Sequence, residues 1–357
     1  MKKLNIAIIG QGRSGRQIHG EFYLSEKNTK FNVAYVVDQH EVRRTKAKEA
    51  FPNATILSSY TELFDKKDID LVVNASYSKD HYPISKDLLE HGFNVLCEKP
   101  FCKSEAECRD LIETAKKNNV LIAAFQQSFY APYCEHAFKL AKDGTLGDIL
   151  EVSLRFSGFS RRWDWQTLQK MVGGNAYNTG PHPIGLGVGF LDFSKDLKIV
   201  YSNLQHTEMS AGDYDDFVKI ILTAPGKPVV DIEINNTDAY SPYNVKIIGS
   251  RGCYKTNIFS YEMKYVVPGE NVPREPVQDT LVNENGDPCY CGEKLVVHEV
   301  KGEYEGTAFD VGTQKLYDDI YEAIVNGKEM YITAERALLT TKVISEAHDA
   351  NPIEKRF

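Results

Sequence analysis

The most constraining feature of this chain lies at its start. Six residues, Leu4–Ile9, form an apolar run broken only by Asn5, and they lead directly into Gly10-Gln11-Gly12-Arg13-Ser14-Gly15. Helical spacing follows over Gly15–Leu24. A G-x-G-x-x-G turn between a strand and a helix has a specific physical use. Gly10 permits the tight turn, Gly12 lets the backbone approach a pyrophosphate, and Gly15 lets helix and strand pack closely. The N–H groups of Gln11, Arg13 and Ser14 then sit at a helix N-terminus, where an anion is favoured.

The pattern continues for a third of the chain. Apolar runs at Phe31–Val37, Ile69–Ala75, Phe93–Cys97 and Val120–Phe125 read as buried strands, with a weaker one at Ala54–Leu57. Helical spacing separates them at Glu41–Ala50, His81–Glu90 and Ser104–Lys117, the last opened by a Ser104/Glu107 capping-box signature. Strands alternating with helices predict right-handed crossovers and a doubly wound, mostly parallel sheet. Asp38 ends the second strand, placed to accept hydrogen bonds from a ribose diol and to repel a 2′-phosphate. That favours NAD. Arg13, Arg43 and Arg44 stand near enough to meet a 2′-phosphate, so NADP stays open.

After residue 128 the period changes. A bridging helix is expected over Pro132–Lys142. Alternating stretches follow at Ile149–Ser157, Leu197–Leu204, Phe217–Leu222, Val229–Ile234, Asn244–Ile248 and Tyr261–Val267, separated by turn signals. They predict a large, open, mostly antiparallel sheet with one buried face. Residues 268–307 read as long loops or an edge ribbon, and two helices, near Phe309–Asn326 and Ala334–His348, close the chain. The 357 residues suit two units, an α/β unit over 1–128 and an α+β unit over 129–357.

Net charge is −8 with no basic stripe, which argues against nucleic acid. The stretch after Lys2-Lys3 is too short for a signal peptide, and no run is long enough to span a bilayer. Seven cysteines, an odd number, read as reduced thiols, and the expected compartment is the cytoplasm. Cys289-Tyr290-Cys291 lacks a second Cys or His pair, so no metal is expected.

Two further segments carry chemistry. Glu98-Lys99-Pro100 directly follows a strand, at the carboxyl edge where a doubly wound sheet binds ligands. A lysine there can stabilise a developing alkoxide, with Glu98 holding it. Later, Gly173-Gly174 lead into Asn178 and His182, four apart and so on one helical face. These three segments, in this order, resemble the Gfo/Idh/MocA oxidoreductase family. Ser76–Tyr82 looks like that family's T-P-x-x-x-H-Y loop, and Ala323–Gly327 resembles its A-I-x-N-G helix end.

The resemblance implies a Rossmann domain followed by an α/β domain whose sheet face builds dimers or tetramers. It implies a nicotinamide between the two, near Ser76, Tyr77, Glu98 and Gln127. His81 is either a structural histidine or a nicotinamide-side contact. Lys99 matches the family lysine on the reacting hydroxyl, in a Lys–Pro peptide often cis in relatives. His182 matches the family proton acceptor. Two departures stand out: Asn178 occupies the place of the usual Asp, and Gln126–Tyr130 lacks the arginine that relatives often carry.

The substrate implied is a sugar, glycoside or inositol-like polyol. Arg162, Trp163 and Trp165 offer guanidinium and aromatic surfaces for it, or else form an interface or hinge cluster. Tyr130, Tyr133 and Tyr177 are further candidates, beside Asn178. Two rival functions remain: an enzyme that uses bound NAD transiently to cleave or epimerise a glycoside, and a non-catalytic dinucleotide sensor.

Overall fold

The computed structural model describes residues 2–271, 277, 279–283, 285–290 and 292–357. Its first sheet comprises β1 (Leu4–Ile9), β2 (Phe31–Val37), β3 (Thr55–Leu57), β4 (Leu71–Asn74), β5 (Val95–Cys97) and β6 (Ile122–Ala124). They lie in the order β3-β2-β1-β4-β5-β6, each neighbour parallel. This is the Rossmann order, and its direction reverses between β1 and β4. Loops leaving those two strands must part to opposite faces, which opens a crevice at their carboxyl ends. All of β4, β5 and the edge strand β6 is buried. Cover on both faces explains why every residue in them but Asn74 is apolar.

Helices 41–50 and 81–90 match the expected bounds. The helix Glu105–Asn118 is capped by Ser104 Oγ on the Glu107 N–H, while the Glu107 carboxylate turns to the Lys103 N–H. The first helix differs from expectation. Residues Ser14–Gly20 form a widened π turn before Glu21–Leu24 continue as α-helix. Such widened turns occur often at functional sites, and this one carries the fully buried His19.

The second sheet has eight strands. They are β7 (Ile149–Arg155), β8 (Lys198–Gln205), β9 (Phe217–Thr223), β10 (Val229–Asn235), β11 (Val245–Gly249), β12 (Gly252–Thr256), β13 (Ser260–Tyr265) and β14 (His298–Glu303). The order is β14-β13-β12-β11-β7-β10-β9-β8, antiparallel except where β7 meets β10. Two strands escaped the periodicity. β12 is five residues beginning at a glycine read as turn, and β14 alternates between half-exposed and exposed with almost no apolar residue. β14 is the sheet edge, so the 268–307 segment does supply an edge strand. Cys291 lies outside the described residues.

One face of this sheet is covered by the helices Pro181–Phe190 and Ala334–Ala350. Gly187 brings the first of them close: a Cβ there would stand 3.0 Å from Ile232 and Val230 side chains. The opposite face carries an ion-pair ladder, Arg155 and Lys219 against Asp231 and Glu233. The chain end then returns to the first sheet. Tyr317, on the helix Thr313–Asn326, stacks on Phe22 at 4.5 Å, and the Tyr321 hydroxyl donates to the Lys2 carbonyl. Among the described residues, no helix is long and apolar enough to cross a membrane, and no group of three His, Cys, Asp or Glu residues is arranged to hold a metal.

Candidate functional site

A cavity of about 990 Å³ occupies the crevice at the β1/β4 switch point and extends to the Pro181–Phe190 helix. Its first wall is the glycine turn. Gly10 has φ +88°, and a Cβ on it would stand 2.3 Å from the Ala75 carbonyl oxygen. Gly15 packs on Gly10 itself, where a Cβ would meet the Gly10 oxygen at 1.8 Å. Gly12 differs: among the described residues, nothing beyond its chain neighbours lies within 4 Å of its Cβ position. The turn is thus sterically fixed at its first and third glycines and open at the second. Arg13 and Ser14 continue this wall. A diphosphate fits such a cradle, which presents a glycine backbone without a side chain at a helix start.

Asp38 lies on the same cavity, nearly buried. Its Oδ2 accepts the Gln11 N–H at 2.7 Å, and its Oδ1 accepts the His40 N–H at 2.8 Å. Each carboxylate oxygen has a further lone pair, so Asp38 both fixes the turn and keeps acceptor capacity. Arg43 approaches it at 3.6 Å, and Arg44 instead binds the Asp38 and Gln39 carbonyls. Ser58, Ser59 and Tyr60, after β3, complete this end.

The second wall is built by Glu98, Lys99, Gln127, Asn178 and His182. The Lys99–Pro100 peptide is cis. Lys99 Nζ donates to the Asn178 carbonyl at 2.9 Å and to its Oδ1 at 3.2 Å. Burial lowers the Lys99 pKa, and the Arg13 and Arg162 guanidiniums add to this against the pull of Glu98. Asn178 and His182 do fall on the cavity together, although the helix is interrupted between Asn175–Asn178 and Pro181–Phe190. Burial, aided by the Lys99 ammonium, pushes the His182 imidazole down to about 3, so it is neutral at pH 7.

Beneath these groups lies a buried relay. Glu98 Oε2 accepts the Lys99 N–H at 2.9 Å, and its Oε1 lies 3.1 Å from His19 Nε2. His19 Nδ1 lies 2.6 Å from the Tyr317 hydroxyl. Burial alone would raise the Glu98 carboxyl, but His19, Lys99 and His81 hold it at about 2. His81 is enclosed: Nδ1 lies 2.7 Å from the Pro100 oxygen and Nε2 3.2 Å from the Ser76 oxygen. It ties together the two loops that bear Ser76 and Lys99. Asn74 accepts from the Ser76 N–H and hydroxyl, fixing that loop further.

Several expected residues do not reach the cavity. Trp163 is 80% exposed, outside it. Tyr130 is buried with its hydroxyl on Asp319, and Tyr177 is buried with its hydroxyl on the Lys103 carbonyl and its ring stacked on His348. Tyr133 is buried too. Their rings belong to the hydrophobic core. Trp165 and Arg162 do line the cavity, Trp165 edge-on to Tyr77 at 5.1 Å, with Arg162 paired to Asp164. Sequence reasoning missed His19, Thr179, Gln166 and Phe309. The last three line the cavity, and His19 supports it from below. Thr179 lies between Asn178 and His182 in the segment already singled out, while His19 and Phe309 have no sequence signal beyond their type.

Two family profiles match the chain. The oxidoreductase family, NAD-binding Rossmann fold, covers residues 4–126. The GFO/IDH/MocA C-terminal domain covers residues 135–255. An uncharacterised oxidoreductase of Schizosaccharomyces pombe is 24% identical over 98% of this chain and 98% of its own length. A 2,7-anhydro-N-acetylneuraminate hydratase of Mediterraneibacter gnavus is 23% identical over 72% of this chain and 68% of its own length. The fold is shared with KijD10, a 3-ketoreductase from Actinomadura kijaniata, in complex with TDP-benzene and NADP. The TM-score is 0.74 at 16% identity, covering 97% of this chain and 96% of that one. On these matches the chain belongs to the Gfo/Idh/MocA family of oxidoreductases, with an N-terminal NAD-binding Rossmann fold.

Proposed function

We propose that this protein transfers a hydride between a nicotinamide dinucleotide and a ring hydroxyl or ketone of a sugar, glycoside or inositol-like polyol. The observation that carries this reading is the shared cavity: the open glycine turn on one wall, Lys99 and His182 on the other. A bound nicotinamide would supply the hydride acceptor. The chain does the rest. Lys99 turns from Asn178 to donate a hydrogen bond to the substrate oxygen, stabilising negative charge as it develops. His182, neutral at pH 7, takes the hydroxyl proton. Asn178, Arg162 and Trp165 orient the ring, with Ser76, Tyr77, Glu98 and Gln127 on the nicotinamide side. Asp38 favours NAD over NADP by holding a ribose diol and repelling a 2′-phosphate.

The segments 1–128 and 129–357 are read as the cofactor and substrate units. The ion-pair ladder on the open face of the second sheet suits a dimer or tetramer formed through that face. The test is a panel of sugars, glycosides and polyols with NAD and NADP, followed by reduced-nicotinamide absorbance and mass spectrometry. Turnover of a polyol with NADH formation supports the reading. The hydratase among the relatives favours a second reading, in which NAD is reduced and reoxidised in place. A product of altered structure with no net NADH would select that reading instead. A chain that binds NAD and turns over nothing in the panel, with Lys99→Ala leaving its biological effect whole, would be a sensor.

A further inference from the structure

Ser128 sits in the short turn Gln127–Tyr130 that follows β6, and it is nearly buried. Its hydroxyl oxygen lies 2.7 Å from His182 Nδ1. Among the described residues no partner is seen for the other ring nitrogen, Nε2, and His182 lines the cavity. Lys99 and Glu98 face the imidazole from the end of β5, and they are the charged groups acting on it. Asn178 and Thr179 precede it in the chain, and Ser128 stands at its Nδ1.

Among the described residues no carboxylate touches Nδ1, and the group that orients the ring is a neutral hydroxyl. A neutral imidazole carries one N–H, and its place decides the chemistry. A serine hydroxyl can donate or accept. The buried Tyr133 phenol is a second neighbour of the Ser128 hydroxyl. A serine proton directed at that phenol leaves the serine oxygen with lone pairs for an N–H from His182.

We propose that Ser128 is a positioning residue that holds His182 as the Nδ1–H tautomer, turning the Nε2 lone pair into the cavity as proton acceptor. The proposal rests on the reading of His182 as the acceptor. It deepens that reading by explaining how the ring is set without the charge of a neighbouring acid. A carboxylate in the same place would fix the tautomer and also stabilise the imidazolium. A hydroxyl fixes the tautomer while leaving the ring weakly basic, in keeping with its buried place beside an ammonium.

The tautomer is read on the full chain, without substrate, by two-bond proton–nitrogen NMR of histidine-labelled protein, with His182→Gln assigning the signal. The expected result is an Nδ1–H pattern in the wild type. Ser128→Ala should move it to a population dominated by Nε2–H, and Ser128→Thr should restore the first pattern. Should Ser128→Ala not fold, Ser128→Cys, close in volume and weak as an acceptor, should show the same loss. A wild-type ring carrying its proton on Nε2, or a folded Ser128→Ala or Ser128→Cys protein with an unchanged pattern, overturns the proposal. Because no turnover is needed, failure of the sugar panel speaks to the function and not to this assignment. With a substrate that is turned over, Ser128→Ala should lower kcat by roughly 100-fold with little change in KM, the low end of what a positioned base contributes.

Discussion

The second glycine of the turn offers the sharpest separation between folding and binding. Gly12 is not in the left-handed region, and among the described residues nothing beyond its chain neighbours stands within 4 Å of its Cβ position, so a side chain can start there without a clash. Gly12→Asp should therefore fold normally, its stability changed by less than about 0.5 kcal/mol, as expected of a surface site. An acidic side chain at a helix start is if anything favourable. A diphosphate approaching the same backbone would meet a carboxylate at van der Waals range. At about 4 Å the repulsion per charge pair is roughly 1 kcal/mol in water and about 4 kcal/mol at the effective dielectric of a protein surface. A net loss of about 2–4 kcal/mol corresponds to a dissociation constant raised roughly 30- to 1000-fold.

Gly10→Ala is the contrasting variant. Its left-handed backbone costs a side chain about 1–2 kcal/mol, and the overlap with the Ala75 carbonyl adds to that. It should melt early. The assay is NADH fluorescence titration beside thermal melting for both variants. Unchanged NADH affinity in a folded Gly12→Asp protein would refute the placement of the dinucleotide on this turn. An early-melting Gly12→Asp protein would refute the geometry.

Three further outcomes follow from the site. Lys99→Met removes the alkoxide donor and should cut kcat by about 100- to 1000-fold with NADH affinity kept, read by steady-state kinetics and titration on any substrate found. Glu98→Gln places an amide where Lys99 N–H and His19 meet a carboxylate, and should destabilise by roughly 1–3 kcal/mol in denaturant melts. His182 is depressed in the folded chain from 6.5 to about 3, so its contribution to stability is full above 6.5 and is lost as pH falls toward 3. Melting curves between pH 7 and pH 4 should show a smaller acid loss for His182→Gln than for the wild type, and equal slopes would contradict the buried neutral ring.

What the sequence revealed depended on how local the cause was. β1 and β2 were readable to the residue, because each is a short, mostly apolar run, broken only by Asn5 and Asn32, that the buried side of the sheet requires. The glycine turn was readable because backbone crowding by Ala75 and Gly10 leaves only glycine. β12 and β14 were not: β12 is a short strand held by neighbours on both sides, and β14, at the edge, is held by backbone pairing to β13 with almost no apolar residue to mark it. The same division holds in the site. Lys99 and Asn178 were found through motifs, but their direct contact spans 79 positions and has no local trace. Tyr130 and Tyr177 looked like binding residues because a tyrosine near a motif carries the same letters whether its hydroxyl meets a ligand or, as here, Asp319 and the Lys103 carbonyl. His19 is a single histidine in a helix, and its bonds to Glu98 and Tyr317 bring together three distant parts of the chain.

That last contact bears on how such proteins can be taken apart. Tyr317 belongs to the closing helices, yet its ring fills the space among Phe22, Tyr23 and Phe31, and its hydroxyl reaches toward the lysine-bearing loop through one imidazole. A fragment cut after β6 would bare those aromatic rings to water. Exchanging the front half between relatives therefore calls for the penultimate helix to travel with it, since the two ends of the chain make a single inheritable piece.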